Sequence, residues 1–302
     1  MHNLQKGVMT GKNEGTTQEQ PQEVQWWTSV ITPREKWYHL RLKELWEYRQ
    51  LVWLFVRRDF VSAYKQTILG YFWFVFPPIL AALASTFFYG NVISLPTDGL
   101  PPFLFYMSGT FMFNIFSNSF INTSNVFGQN ANIFGKVYFP RLTIPLARVL
   151  IYLINVAVQF VLFIGFLVYF ISIGADIQPN VWAFMLPVLL LMSVNMGLGP
   201  GLITSAMTAR YRDLGQLVAF FTTLVTYVTP VVYPLSNVPE HLKIYFKLNP
   251  VTAIIETFRY GFLGQGVLDL GMLAYSFTVS FVFLLIGVFW FRSMESTFLD
   301  TV

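Results

Sequence analysis

Few residues of this 302-residue chain stand where they could do chemistry. Phe134, Gly135 and Lys136 invite a phosphate-loop reading, which needs Gly, four residues, Gly-Lys and then Ser or Thr so that backbone amides cradle phosphates. Asn130 occupies the first Gly position and Val137 follows Lys136, so the pattern fails twice. No other stretch satisfies it, and the chain is expected not to hydrolyse nucleotide alone. His2, His39 and His241 lie far apart, with no carboxylates at metal-ligand spacing. Cysteine is absent, which removes a disulfide framework, a thiol nucleophile and a Cys-based zinc site. Asp59 beside Arg57 and Arg58, and Asp213 beside Arg210 and Arg212, read first as local salt bridges and second as catalytic or coupling elements.

The elements that must hold these residues are apolar. Hydrophobic side chains make up 55% of the chain and charged ones 11%, against roughly 25% charged in a soluble domain. That composition belongs to a membrane protein. A bilayer core about 30 Å thick takes about 20 mostly apolar helical residues to cross. Six runs qualify: Leu69 to Ile93, Pro102 to Ile121, Val149 to Ile173, Val181 to Ala206, Leu214 to Leu235 and Met272 to Phe291. None contains Asp, Glu, Lys or Arg, any of which would cost on the order of 3 kcal/mol or more at mid-membrane. Ion-driven transporters place such groups at membrane depth. Their lack here means that energy for uphill transport would enter from a partner.

Orientation follows from the cations beside the spans. Arg57, Arg58 and Lys65 precede the first; Lys136, Arg141 and Arg148 lie between the second and third; Arg210 and Arg212 lie between the fourth and fifth; Arg292 follows the sixth. The connections Ser94 to Pro101 and Gly174 to Asn180 have no Lys or Arg. Both termini are therefore expected in the cytoplasm of a multi-pass protein. Ten of the nineteen Lys and Arg fall in the first 65 residues, a local feature and not a nucleic-acid footprint.

Three organisational units are expected: a disordered N-terminal extension over 1–30, an amphipathic interface helix region over 31–66, and the spans over 67–302. The extension is polar, with no apolar core for a secretion signal. In the second unit Leu42, Leu45, Trp46, Val52, Trp53, Val56 and Phe60 recur at three- to four-residue spacing, which suits a helix lying in the cytoplasmic membrane interface or a small packing helix. Between spans five and six, Pro239 opens one helix-like run, and Asn249 with Pro250 reads as an N-cap and first-turn proline for a second. These are two amphipathic helices dipping into the bilayer, or a surface loop with some helix. The run Gly197 to Gly201 is read as close helix packing. The aromatic cluster Tyr71, Phe72, Trp73, Phe74 and Phe76 suits an interfacial belt or a pore lined with rings that stack on sugars. Asn130 to Arg148 is either a connecting loop or a short lever for a soluble partner.

Three stretches resemble the membrane subunit of polysaccharide-exporting ABC transporters, the O-antigen and teichoic-acid type within the ABC-2 permeases. They are RRDFVSAYKQTILGYFWFVFPP from Arg57, NANIFGKVYFPRLTIPLAR from Asn130, and ARYRDLGQLVAFFTTLVTYVTPVVYPLSNVP from Ala209 together with LNPVTAIIETFRYGFLG from Leu248. The resemblance runs from about residue 45 to the C-terminus. It implies an all-α integral membrane protein with six transmembrane helices, an N-terminal interface helix carrying Arg57, Arg58 and Asp59, and two short re-entrant helices between spans five and six. It also implies that Asn130, Asn132, Phe134, Lys136, Tyr138, Pro140 and Arg141 couple to the ATPase. Tyr71, Phe74, Phe220 and Tyr227 become candidates for channel lining, and Tyr233, Asn249, Pro250 and Arg259 for an outer gate.

The implied partners are a second copy of the chain, two ATPase subunits that would bind ATP and Mg, a lipid-linked polysaccharide and membrane lipid, with no nucleic acid. No cofactor is expected on this chain. Its rivals are an ABC-2 exporter of a smaller lipid or drug, and a membrane-embedded transferase acting on lipid-linked sugars. The scattered histidines and uncharged spans argue against the transferase.

Overall fold

The computed structural model describes residues 46–65, 70–126, 142–208, 211 and 213–298, without the side chains of residues 63, 64, 71, 206, 292 and 294–298. All of them fall within the unit Trp37–Val302. They contain helices and connections and no strand. In chain order these are α1 (Arg49–Tyr64), a 3-10 helix (Gly70–Phe74), α2 (Phe76–Ser85), a π-helical stretch (Thr86–Val92), α3 (Pro102–Ser124) and α4 (Thr143–Ser172). There follow a 3-10 helix (Val181–Met185), α5 (Leu186–Thr208), α6 (Leu214–Tyr227), a 3-10 turn (Leu235–Asn237), α7 (Glu240–Leu248), α8 (Pro250–Leu263) and α9 (Leu270–Phe298).

Among the described residues four stretches are long and apolar enough to cross a membrane: Phe72–Val92, Thr143–Ser172, Val181–Ser205 and Leu270–Phe291. The first is not one uniform helix. It starts as 3-10, becomes α where Pro77 and Pro78 occupy the first turn of α2, and loosens to π from Thr86; prolines are tolerated there because first-turn amides have no helical partner.

Two expected spans differ in kind. α3 is 23 residues long, but Asn114, Asn118, Asn122 and several Ser and Thr dilute its apolar character. The Asn118 and Asn122 amides each donate to the carbonyl four residues back, and Tyr152 on α4 donates to the Asn114 carbonyl at 2.8 Å. α6 has only 14 residues, about 21 Å at 1.5 Å per residue, short of a bilayer core. Its apolar sequence continues to Leu235, but Pro230 and Pro234 have no amide with which to continue a helix.

α3 is the centre of the fold, with Leu104, Tyr106, Met112 and Ile115 fully buried. α5 packs most extensively on α3 and α9, and its glycines explain how. A Cβ on Gly197 would overlap the Phe116 carbonyl, one on Gly199 the Phe283 carbonyl, and one on Gly287 of α9 the backbone of Gly199. Backbone meets backbone at these points, the close approach that small residues permit. At the other end of the chain α1 packs on α4 through Val52, Phe55, Val56, Ile144 and Ala147. Asp59 accepts from Arg58 Nε at 2.7 Å and faces Arg148 Nε at 3.5 Å, so its ion pairing extends to α4. Trp53 stays exposed on α1, as does Trp46 ahead of it.

Candidate functional site

Backbone that leaves a helix inside an apolar chain has carbonyls that must find donors. Four such carbonyls follow the end of α6, and each is met by a side chain. Tyr233 Oη donates to the Tyr227 carbonyl at 2.7 Å. Asn249 Nδ2 donates to the Val228 carbonyl at 3.3 Å and to Thr229 Oγ1 at 2.8 Å. Arg259 Nη1 donates to the Pro230 carbonyl and Nη2 to the Val231 carbonyl, both at 2.7 Å.

These donors come mainly from α8, whose sequence fixes its ends. The Asn249 side chain accepts from the Val251 amide at 3.1 Å, so one residue caps the helix and bonds the broken strand of backbone beside it. Pro250 takes the first helical position, where its fixed φ is already helical. Gly264, at φ 76°, ends the helix in the left-handed conformation.

Arg259 is 1% exposed. Its Nε approaches Ser108 Oγ at 3.3 Å, its Nη2 the Phe105 carbonyl at 3.4 Å, and its Nη1 Glu256 Oε1 at 3.3 Å. The guanidinium carbon lies 3.8 Å from the centre of the Phe105 ring, a cation–π contact strengthened by desolvation. Glu256 Oε2 accepts from the Val267 amide at 3.0 Å. A Cβ on Gly109 would stand 2.5 Å from both Arg259 Nη2 and the Val231 carbonyl; only glycine leaves the guanidinium room. A fork of fixed geometry that holds two carbonyls, a carboxylate and a ring is what arginine supplies and lysine does not.

Of the residues singled out in the sequence, Tyr233, Asn249 and Arg259 thus converge on one break, with Pro250 setting the start of α8. Tyr233 also packs its ring edge-on against Phe246 of α7 at 5.8 Å. Glu256, Ser108 and Gly109 are not among the site residues read from the sequence. Glu256 and Arg259 are the only charges between Lys247 and Asp269 and stand one helical turn apart, which was the available signal for a buried pair.

The channel candidates divide. Phe220 and Tyr227 are 62% and 67% exposed on α6. Phe74 is 6% exposed and stacks on Phe60 of α1 at 5.8 Å. The side chain of Tyr71 lies outside the described residues, as do Asn130, Asn132, Phe134, Lys136, Tyr138, Pro140 and Arg141, and with them Arg210 and Arg212. Arg57, Arg58 and Asp59 sit on α1.

Comparison with known proteins places this arrangement. The model of the ABC-2 type transporter family matches residues 50–263, from α1 through α8. An O-antigen export system permease protein, RfbA, of Klebsiella pneumoniae is 26% identical over 251 residues, covering 83% of this chain and 94% of its own. The RfbA of Myxococcus xanthus is 26% identical over 263 residues, covering 86% and 98%. The inner membrane transport permease YadH of Escherichia coli is 26% identical over 226 residues, covering 72% and 84%. The break beyond α6 and the helix that bonds it both lie inside the matched segment, and the chain is a multi-pass membrane protein that belongs to the ABC-2 type transporter family.

Proposed function

We propose that the chain is the transmembrane subunit of an ATP-driven exporter that moves a lipid-linked, O-antigen-like polysaccharide across the bacterial cytoplasmic membrane. The observation that carries this reading is the likeness to two O-antigen export permeases along 94% and 98% of their own lengths. In this reading α3 and the broken α6 join the four long apolar stretches as spans, giving six. α7 and α8 are a re-entrant pair at the outer mouth, and both termini are cytoplasmic. The carbonyls bonded by Asn249 and Arg259 support the re-entrant placement, because irregular backbone at membrane depth is tolerated only where protein or a water-filled cavity covers it.

Two copies form the conduit about a two-fold axis, the commonest closed symmetry. ATP and Mg are held by a separate nucleotide-binding subunit, and the segment Asn130 to Arg141 transmits its strokes. The exposed rings of α6 support a sugar path, since stacking tolerates register shifts in a sliding chain.

The test is affinity purification of the tagged chain from its native membrane, combined with deletion and restoration of its gene. A stoichiometric ATPase partner, vanadate-sensitive hydrolysis and loss of surface polysaccharide on deletion are the expected results. An isolated chain with no ATPase in gentle detergent, or unchanged surface polymer after deletion, overturns the proposal.

A further inference from the structure

Between α3 and α6 runs an open groove of about 240 Å³. Thr110, Asn114 and Ser117 line it from α3 and Thr222, Thr223 and Thr226 from α6, with no charged residue among its lining. The threonines share one arrangement. Thr110 donates to the Tyr106 carbonyl, Thr222 to Val218, Thr223 to Ala219 and Thr226 to Thr222. Each hydroxyl proton is thereby committed to its own helix, and what remains toward the groove is oxygen lone pairs. The Asn114 amide and the Ser117 hydroxyl make no side-chain hydrogen bond to any described residue.

The rim of the groove adds a second chemistry. At 3.6 residues per turn, Phe220 and Tyr227 fall on one stripe of α6 next to Thr223, and both rings are more than half exposed. An uncharged surface rich in acceptors, with one amide free to donate and accept, suits neither an ion nor a lipid tail. It suits a ligand that offers many hydroxyl protons beside flat C–H faces.

We infer that the α3–α6 groove is a carbohydrate subsite, a hydrated facet of the export path in which Asn114, Ser117, Thr223 and Thr226 bond sugar hydroxyls while Phe220 and Tyr227 stack on the rings. The inference rests on the export reading above and adds a wall from the second span. The volume lies just under the roughly 300–1,000 Å³ of closed ligand pockets, which fits a facet touching a short stretch of a sliding polymer.

The chain contains no cysteine, so single thiols report cleanly. Ser117→Cys and Thr223→Cys are placed in the groove, and Val161→Cys on the exposed face of α4 serves as the control. Each variant replaces the native copy in its own cells, with polymer synthesis running or blocked at its first sugar transfer. The probe is the membrane-impermeant anion sulfonatoethyl methanethiosulfonate. Thiolates form in water and not in lipid, so with synthesis blocked the groove thiols should react at least about tenfold faster than the control. With synthesis running they should slow severalfold, while the control does not change.

Groove thiols as slow as Val161→Cys make the groove lipid-filled and overturn the inference. Fast thiols indifferent to polymer make it water-lined and also overturn the carbohydrate assignment. In both cases the unsubstituted chain still restores surface polymer, which separates these outcomes from failure of the export reading, where it does not.

Discussion

Tyr227 divides two regions that share one apolar sequence and treat polar groups in opposite ways. Beyond it, the carbonyls of Tyr227, Val228, Pro230 and Val231 each have a side-chain donor, and the arginine that serves two of them is fully enclosed. Before it, α6 exposes Leu217, Phe220, Phe221 and Leu224, and across the groove the Asn114 amide has no hydrogen-bond partner among the described residues. A saturated network holds irregular backbone in one arrangement, because any displacement strands a buried group. An unsaturated surface is complete only when something outside the chain meets it. The first region is built to stay and the second to receive.

The strongest way to break the contrast is Arg259→Ala. It strands the Pro230 and Val231 carbonyls and leaves Glu256 buried without its counter-ion, and removing one member of such a pair costs about 3–5 kcal/mol. The thermal midpoint of the detergent-purified permease should fall more than for any variant below. Arg259→Leu combined with Glu256→Leu should recover part of the loss, because the buried charge is gone while the carbonyls stay unmet. Full recovery would show that the carbonyl bonds contribute nothing. Next in size is Gly109→Ala, whose methyl would press on Arg259 and the Val231 carbonyl; overpacking of this kind costs about 1–3 kcal/mol. An unchanged midpoint would mean that the guanidinium can yield.

Asn249→Ala should cost about 1–2 kcal/mol, the range for a lost N-cap, and loosen the start of α8 in hydrogen exchange before its Arg259 end. Equal protection at both ends would remove the cap from the account.

That cap was legible because its chemistry is local: Asn followed by Pro satisfies a helix start within three residues. The long spans were legible for a similar reason, since freedom from charge over 20 or more residues reports the solvent. The break in α6 was not, because hydropathy runs unbroken through Val231 and Leu235 and says nothing of backbone geometry; only Pro230 and Pro234 marked it. The partners of Arg259 were hidden because Phe105 and Ser108 approach from some 150 residues away. Nor was the burial of Phe74 legible, because an aromatic cluster does not announce its faces. Phe72, Trp73 and Phe76 point outward and Phe74 inward, a distinction that only packing against α1 makes.

The smallest stability effect is expected where function should suffer most, at Asn114→Leu. The amide gives up no side-chain hydrogen bond to any described residue, so its removal should leave the thermal midpoint within about 0.5 kcal/mol of wild type. Leucine keeps the branching and heavy-atom count of asparagine with methyls in place of the amide atoms, and relief of an unmet polar group would shift the midpoint upward. Surface polysaccharide should nevertheless fall severalfold at equal permease abundance, and ATPase co-purification should stay intact. A fall in stability comparable to Asn249→Ala would place Asn114 with the saturated region and erase the contrast at its most exposed point. Intact stability with intact export would leave the amide without a task and turn attention to the exposed rings of α6, where Tyr227→Ala asks the same question of stacking.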